Sequence, residues 1–176
     1  MATLLPLNLM KWIDDHAEML KPPVGNAQIW QDGEFLVTVV GGPNVRTDYH
    51  DDPGDEFFYQ LRGNMNLRVI EDGKIRDMPI CEGEILLLPA HTRHSPQRPA
   101  DTVGMVIERL RQPGELDAFE WYCEKCEAKV HRREVEVTDL VRDLLPVFDE
   151  YYGDTTLRTC PSCGHENPGE PSKPGT

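Results

Sequence analysis

From Gln28 to about Arg111 the chain is cut into short apolar or alternating runs by closely spaced turn pairs: Asp32-Gly33, Gly41-Gly42, Pro53-Gly54, Gly63-Asn64, Asp72-Gly73 and Glu82-Gly83. Runs this short, bounded by turn residues, are expected to be strands. With no helical segments between them, they suit an antiparallel barrel or sandwich and not a parallel α/β sheet. On either side the pattern changes. Leu9, Trp12, Ile13, Met19 and Leu20, with His16 on the same face, recur at helical spacing between Leu7 and Leu20, and Lys21-Pro22-Pro23 ends the run, which predicts a short amphipathic helix. After Pro113-Gly114 come a cysteine pair, a charged stretch, a predicted helix over Asp139 to Tyr152 capped by Thr138, and a second cysteine pair. Pro146 should kink or divide that helix. The expected organisation is a helix and barrel over 1–112, a small metal-bound appendage packed on the barrel over 113–167, and a flexible tail over 168–176.

The 176 residues are enough for one core, and 39% apolar with 28% charged residues is a globular composition. Thirty-one acidic against 18 basic side chains give a net charge of −13. Such a field repels a phosphate backbone, so nucleic acid is not an expected partner. An anionic small substrate would need local arginines to overcome it. The opening MATLLPLNLMKW has no basic leader, and no stretch approaches the roughly 20 apolar residues of a membrane span. A cytoplasmic protein with no membrane partner is the expectation. Four of the five cysteines fall in two Cys-x-x-Cys pairs, Cys123/Cys126 and Cys160/Cys163. Four thiolates so spaced favour a tetrahedral Zn or Fe site, expected to be a structural staple. Cys81 is left over and is expected to be a small buried hydrophobe.

The stretch His50-Asp51-Asp52-Pro53-Gly54-Asp55-Glu56 carries two candidate metal ligands on either side of a Pro-Gly turn, which would bring them together. His94 ends the apolar strand that starts at Gly83, and placed beside the first two it would complete a set of two imidazoles and one carboxylate. Such a set leaves one face of an octahedral ion open, the arrangement of non-haem Fe(II) oxygenases; catalytic zinc is the chemical competitor.

These segments resemble the two cupin motifs: Gly42 to Gly63 the first and Gly83 to Arg98 the second. Two departures, His50-Asp51-Asp52 where many cupins have His-x-His and Arg98 where they end in Asn, speak against a fourth ligand. One cupin family accommodates both departures. From Met10 onward the chain resembles the 3-hydroxyanthranilate 3,4-dioxygenases, through Arg46-Thr47-Asp48-Tyr49-His50, Pro53 to Gln60, and Pro89 to Arg98. The resemblance implies a mainly β, cupin-type antiparallel barrel holding Fe(II) on His50, Glu56 and His94. It also implies the extra four-cysteine site of microbial members, a homodimer, and ring opening of a small aromatic acid by O2 to a semialdehyde that cyclises to quinolinate, a precursor of NAD.

Arg46 lies four residues before His50 and Arg98 four after His94, so strand geometry would put each on the face of its ligand, at a distance suited to gripping a ring carboxylate. Otherwise both would be surface ion pairs. Glu108 ends the apolar strand Val103 to Glu108 and is either an exposed strand end paired with Arg109 or an inward residue; the resemblance implies an inward general base. Asn26, Phe58 and Pro96 are further expected pocket residues. Two other readings stay open at this stage: a cupin isomerase or epimerase without oxygen chemistry, and a small-molecule-binding cupin whose four-cysteine part contacts a protein.

Overall fold

The structure, a computed structural model, describes residues 5–22, 25–138 and 140–170. Eleven strands are arranged in two antiparallel sheets. In chain order they are β1 (Asn26–Gln28), β2 (Phe35–Gly41), β3 (Asp48–Asp51), β4 (Glu56–Arg62), β5 (Met65–Glu71), β6 (Lys74–Ile80), β7 (Ile85–Leu88), β8 (His94–Gln97), β9 (Val103–Arg109), β10 (Asp117–Tyr122) and β11 (Lys129–Val135). One sheet has the order β1-β2-β9-β4-β7 and the other β11-β10-β3-β8-β5-β6. Each pairing is antiparallel. This is the mainly β, two-sheet barrel that the turn spacing predicts.

The turns behave as their residues require. Asp72 and Gly73, at φ 51° and 75°, form the two-residue connection between β5 and β6, whose ends pair Glu71 with Lys74. Both central residues of a type I′ hairpin turn need positive φ, which Asp and Gly tolerate. Pro53-Gly54 acts differently. It joins β3 in one sheet to β4 in the other, so it is a crossing between sheets and not a hairpin.

Phe58, Met65, Leu67, Val69, Ile80 and Leu88 fill the space between the sheets. Burial of each is worth about 1.5–3 kcal/mol relative to exposure, less entropy. A second cluster, Ile13, Leu20, Ala27 and Val39, lies where the N-terminal segment covers the outside of the five-stranded sheet. The expected helix there is interrupted. Helix α1 (Leu9–Asp15) stops at His16, whose ring stacks on Trp12 at 4.2 Å and whose Nδ1 lies 2.7 Å from the Trp12 carbonyl oxygen. Ala17–Leu20 continue as a tighter 3-10 turn. That change of pitch rotates Met19 off the apolar face, leaving it 53% exposed while Leu20 is buried.

At the other end, α2 (Leu140–Gly153) runs through Pro146 without dividing. It packs Val147 and Tyr151 on Phe119 and Trp121 of β10, and the short α3 (Thr155–Arg158) follows. Asp139, the expected first residue of that helix, lies outside the described residues. Thr138 engages the helix start by donating its amide and hydroxyl to Asp143 at 2.8 and 2.9 Å. The boundary expected at 112/113 falls between β9 and β10, and β10 extends the six-stranded sheet by pairing with β3. Residues 171–176 of the expected tail are also outside the described set. Cys81 is exposed rather than buried, because it sits in the β6–β7 connection where no element covers it. Among the described residues no helix is long and apolar enough to cross a membrane.

Candidate metal centre

β3 and β8 pair with His50 directly opposite His94. Glu56 begins β4 in the facing sheet and pairs in register with Glu108 of β9. The three expected ligands therefore meet across the barrel. His94 Nε2 lies 3.0 Å and His50 Nδ1 3.6 Å from Glu56 Oε1, and all three donor atoms fall within 4.8 Å of one another. Two donors each about 2.1 Å from one ion and at right angles to it would be about 3.0 Å apart.

Three local features fit a cation at this point. Glu56 Oε1 is buried without a hydrogen-bond partner among the described residues, a costly state unless a cation completes it. The second nitrogen of each imidazole is engaged: His50 Nε2 is 2.7 Å from Asp117 Oδ1, and His94 Nδ1 is 2.8 Å from the Thr92 carbonyl oxygen. With a ring proton given to each of those acceptors, the nitrogens facing Glu56 would be available as lone-pair donors to a cation, the usual support of a metal-binding histidine. Burial pushes the Glu56 carboxyl up, but His94 and His50 in their protonated forms, with Arg111, outweigh it and hold it at about 2; the carboxylate thus draws positive charge to this point, which a cation would supply in place of the imidazole protons.

The three candidate ligands open onto a cavity of about 240 Å³, just below the roughly 300–1,000 Å³ of most small-molecule sites and suited to one small ring. Arg46, Arg98, Glu108, Asn26, Phe58 and Pro96 all line it, as do Val137 and Leu144 from the segment leading into α2 and from α2 itself.

The two arginines differ in a way that sequence spacing does not show. Arg46 makes a two-point contact with Asp48, so its charge is partnered. Arg98 is 2% exposed and donates to the neutral Gln60 Oε1 at 3.0 Å. Among the described residues no carboxylate lies within 4.0 Å of it, whereas every other arginine has one. In a chain with so many acids, a buried guanidinium without an acid is the strongest local signal for an anionic ligand. Burial alone brings its pKa down to about 10, which leaves it charged.

Glu108 points inward, and Arg109 instead grips Glu115 at 2.6 and 2.7 Å. The partner of Glu108 is Arg111, which sequence reasoning missed. Arg111 reaches Glu108, Asp52 and Asp117 at 2.5, 2.5 and 2.6 Å. Asp117 was missed too, although it orients His50. Burial pushes the Asp52 carboxyl up to about 7, with Glu108 adding to the shift and His50 and Arg111 opposing it. Loop residues such as Arg111 carry no periodic signal that would have flagged them.

The four cysteines also converge. Cys123 Sγ lies 3.6 Å from Cys163 Sγ and Cys126 Sγ 3.6 Å from Cys160 Sγ, close to the edge of about 3.8 Å of a tetrahedron with metal–sulfur bonds near 2.3 Å. The cluster sits where β10 ends and where α3 leads into the second Cys pair, beside the aromatic packing of Trp121 on Tyr151 at 4.1 Å.

Residues 1–152 match the family model described as 3-hydroxyanthranilic acid dioxygenase. A 3-hydroxyanthranilate 3,4-dioxygenase of Burkholderia lata is 58% identical over 166 residues, covering 94% of this chain and 95% of the relative. The protein of that name from Ruegeria pomeroyi is 56% identical over 171 residues, covering 97% and 95%. Among solved structures, a cupin-2 domain containing protein from Shewanella frigidimarina aligns with a TM-score of 0.47 at 16% identity, covering 56% of this chain and 92% of that one.

Proposed function

Because the chain belongs to the 3-hydroxyanthranilic acid dioxygenase family and is a dioxygenase, we propose that it opens the ring of 3-hydroxyanthranilate with O2, using Fe(II) held by His50, Glu56 and His94. Both oxygen atoms enter the product, 2-amino-3-carboxymuconate semialdehyde. The observation that carries the metal assignment is the buried Glu56 oxygen, which has close contacts but no aligned hydrogen bond among the described residues, facing two imidazoles whose remaining nitrogens are already engaged. Fe(II) held by these three residues would supply the Lewis acidity and electron transfer that bring the substrate's hydroxyl and amino edge together with O2.

The residues divide the remaining work. Arg98, with no acid within 4.0 Å among the described residues, takes the substrate carboxylate, and Arg46, its charge shared with Asp48, flanks the same cavity. Together they orient the ring with its hydroxyl edge toward the metal ligands. Glu108 accepts the hydroxyl proton as general base, which raises electron density on the ring. Arg111 holds that carboxylate in place. Phe58 and Val106, with Leu144 opposite, exclude water.

Protein loaded anaerobically with Fe(II) and substrate, then exposed to air, should consume one O2 per ring and develop a new ultraviolet absorbance. Silence from fully iron-loaded protein would sink the dioxygenase reading in favour of an isomerase or a binding protein. The proposal includes a cytoplasmic homodimer. It is supported by Phe35, Ile85 and Leu87, each about 60% exposed on the outer face of the five-stranded sheet. The same preparation should sediment at twice the chain mass; a monomer at micromolar concentration would remove that part.

For the four-cysteine site we propose Fe or Zn as a staple for the end of β10 and the α2–α3 region. Cys160→Ser should lower the melting temperature by at least about 10 °C, since 1 kcal/mol is worth roughly 2–4 °C in a domain of this size. Folded protein should keep its turnover rate. A collapse of rate without loss of stability would instead indicate electron transfer.

A further inference from the structure

We propose that Gln60 and Gly104 form a charge-neutral seat that aims the Arg98 guanidinium into the cavity and keeps its charge available for an anionic substrate. The inference rests on the reading of the substrate as an aromatic acid, and it adds a positioning residue and a reason for the selectivity.

Gln60 is the third inward residue of β4, after Glu56 and Phe58, so one strand face presents a metal ligand, a cavity wall and then the amide that meets Arg98. The orientation of that amide is set on both sides. Its Nε2 donates to the Arg62 carbonyl oxygen at 2.9 Å, which leaves Oε1 to accept from Arg98 Nη1 at 3.0 Å. Gln60 is 1% exposed, and its own amide and carbonyl are fixed by bonds to Glu84 and Gly83 at 3.0 and 2.8 Å. The seat cannot drift.

Directly opposite Gln60 in the β4–β9 register is Gly104. A Cβ there would stand 2.5 and 3.0 Å from the two terminal nitrogens of Arg98 and 2.9 Å from Gln60 Oε1. Even alanine would therefore push the guanidinium off the amide. Glycine is required here by close approach and not by backbone dihedrals. Neutrality matters as much as shape. A glutamate in place of Gln60 would be nearly isosteric and would exchange the bond to the Arg62 carbonyl oxygen for an ion pair with Arg98, cancelling the charge that an anionic ligand needs. The seat thus orients a cation without consuming it.

The test compares wild-type protein, Gln60→Glu and Gly104→Ala, each metal-loaded and kept anaerobic, by calorimetric titration with the aromatic acid and with its neutral carboxamide. Gln60→Glu should stay folded, losing the bond to the Arg62 carbonyl oxygen while gaining an ion pair with Arg98, and bind the acid at least about tenfold more weakly, since a hydrogen bond to a charged group is worth about 1.5–3 kcal/mol. Its affinity for the carboxamide should change less than twofold. Gly104→Ala should show the same selective loss through displacement of Arg98. In steady state the change should appear in KM and leave kcat within a few-fold. Equal affinity of wild-type and Gln60→Glu for the acid would overturn the seat, as would equal weakening of acid and carboxamide. Wild-type protein that binds neither compound would overturn the substrate reading and this inference with it.

Discussion

Replacing Arg98 by methionine is expected to lower kcat/KM for the aromatic acid by about 30- to 5,000-fold, the 2–5 kcal/mol typical of truncating one side of a buried charge pair, while metal content stays at the wild-type level. The size of the effect follows from the isolation of the guanidinium. It has no acid of its own, so the substrate carboxylate would be its single charge partner, and without it a buried anion would face the cavity with Arg46 alone. Methionine matches the bulk of the removed stem and leaves no protein carboxylate stranded, so the folded protein should lose little more than the bond to Gln60. Arg98→Lys should fall between the two, because an ammonium keeps the charge but loses the planar two-point grip. Anaerobic binding titrations beside iron analysis separate the outcomes. If affinity and metal fall together, Arg98 is holding the fold and not the ligand.

Arg111→Met has a different signature: a large loss of stability. Arg111 is 7% exposed at its side chain and bonds three acids that are themselves 12% exposed or less: Glu108, Asp52 and Asp117. Removing it leaves these charges facing one another beside Glu56 in a poorly solvated wall. Breaking a buried ion pair from one side costs about 3–5 kcal/mol, a large share of the roughly 5–15 kcal/mol that holds a domain together. Urea unfolding should register that loss in metal-free protein, where mass action by the ion does not intervene. A second change, Asp52→Asn, should recover part of it by removing one of the stranded charges. A loss below about 1 kcal/mol would mean that the acids simply protonate or turn to solvent, and that Arg111 does not organise the wall. Where the variant folds, its activity should also fall, because both the base Glu108 and the His50 partner Asp117 lose their anchor.

Much of this protein follows from short-range information. The Asp-Gly and Gly-rich pairs mark strand ends because positive φ is a property of the residue itself. The His50, Glu56 and His94 set and the four cysteines were identifiable because ligand chemistry belongs to side-chain type and the spacing survives folding. The N-terminal helix was expected to be longer than it is, since periodicity could not register that the His16 ring would take the Trp12 carbonyl and end the α-helix.

What the sequence by itself determined was the donor chemistry and the strand character of the chain; what only the tertiary structure decided was which neutral and charged groups surround those donors. Asp117 reaches His50 from 67 residues away, and Gln60 reaches Arg98 from 38 away. The crossing of Pro53-Gly54 from one sheet to the other puts Glu56 opposite the histidines instead of beside them. Arg46 and Arg98 look equivalent in spacing, yet one is claimed by Asp48 and the other is left free by Gln60 and Gly104. The physical reason is that ligand identity and turn propensity are local properties, whereas the availability of a buried charge depends on every group within a few ångströms. Strand register brings those groups together from distant parts of the chain.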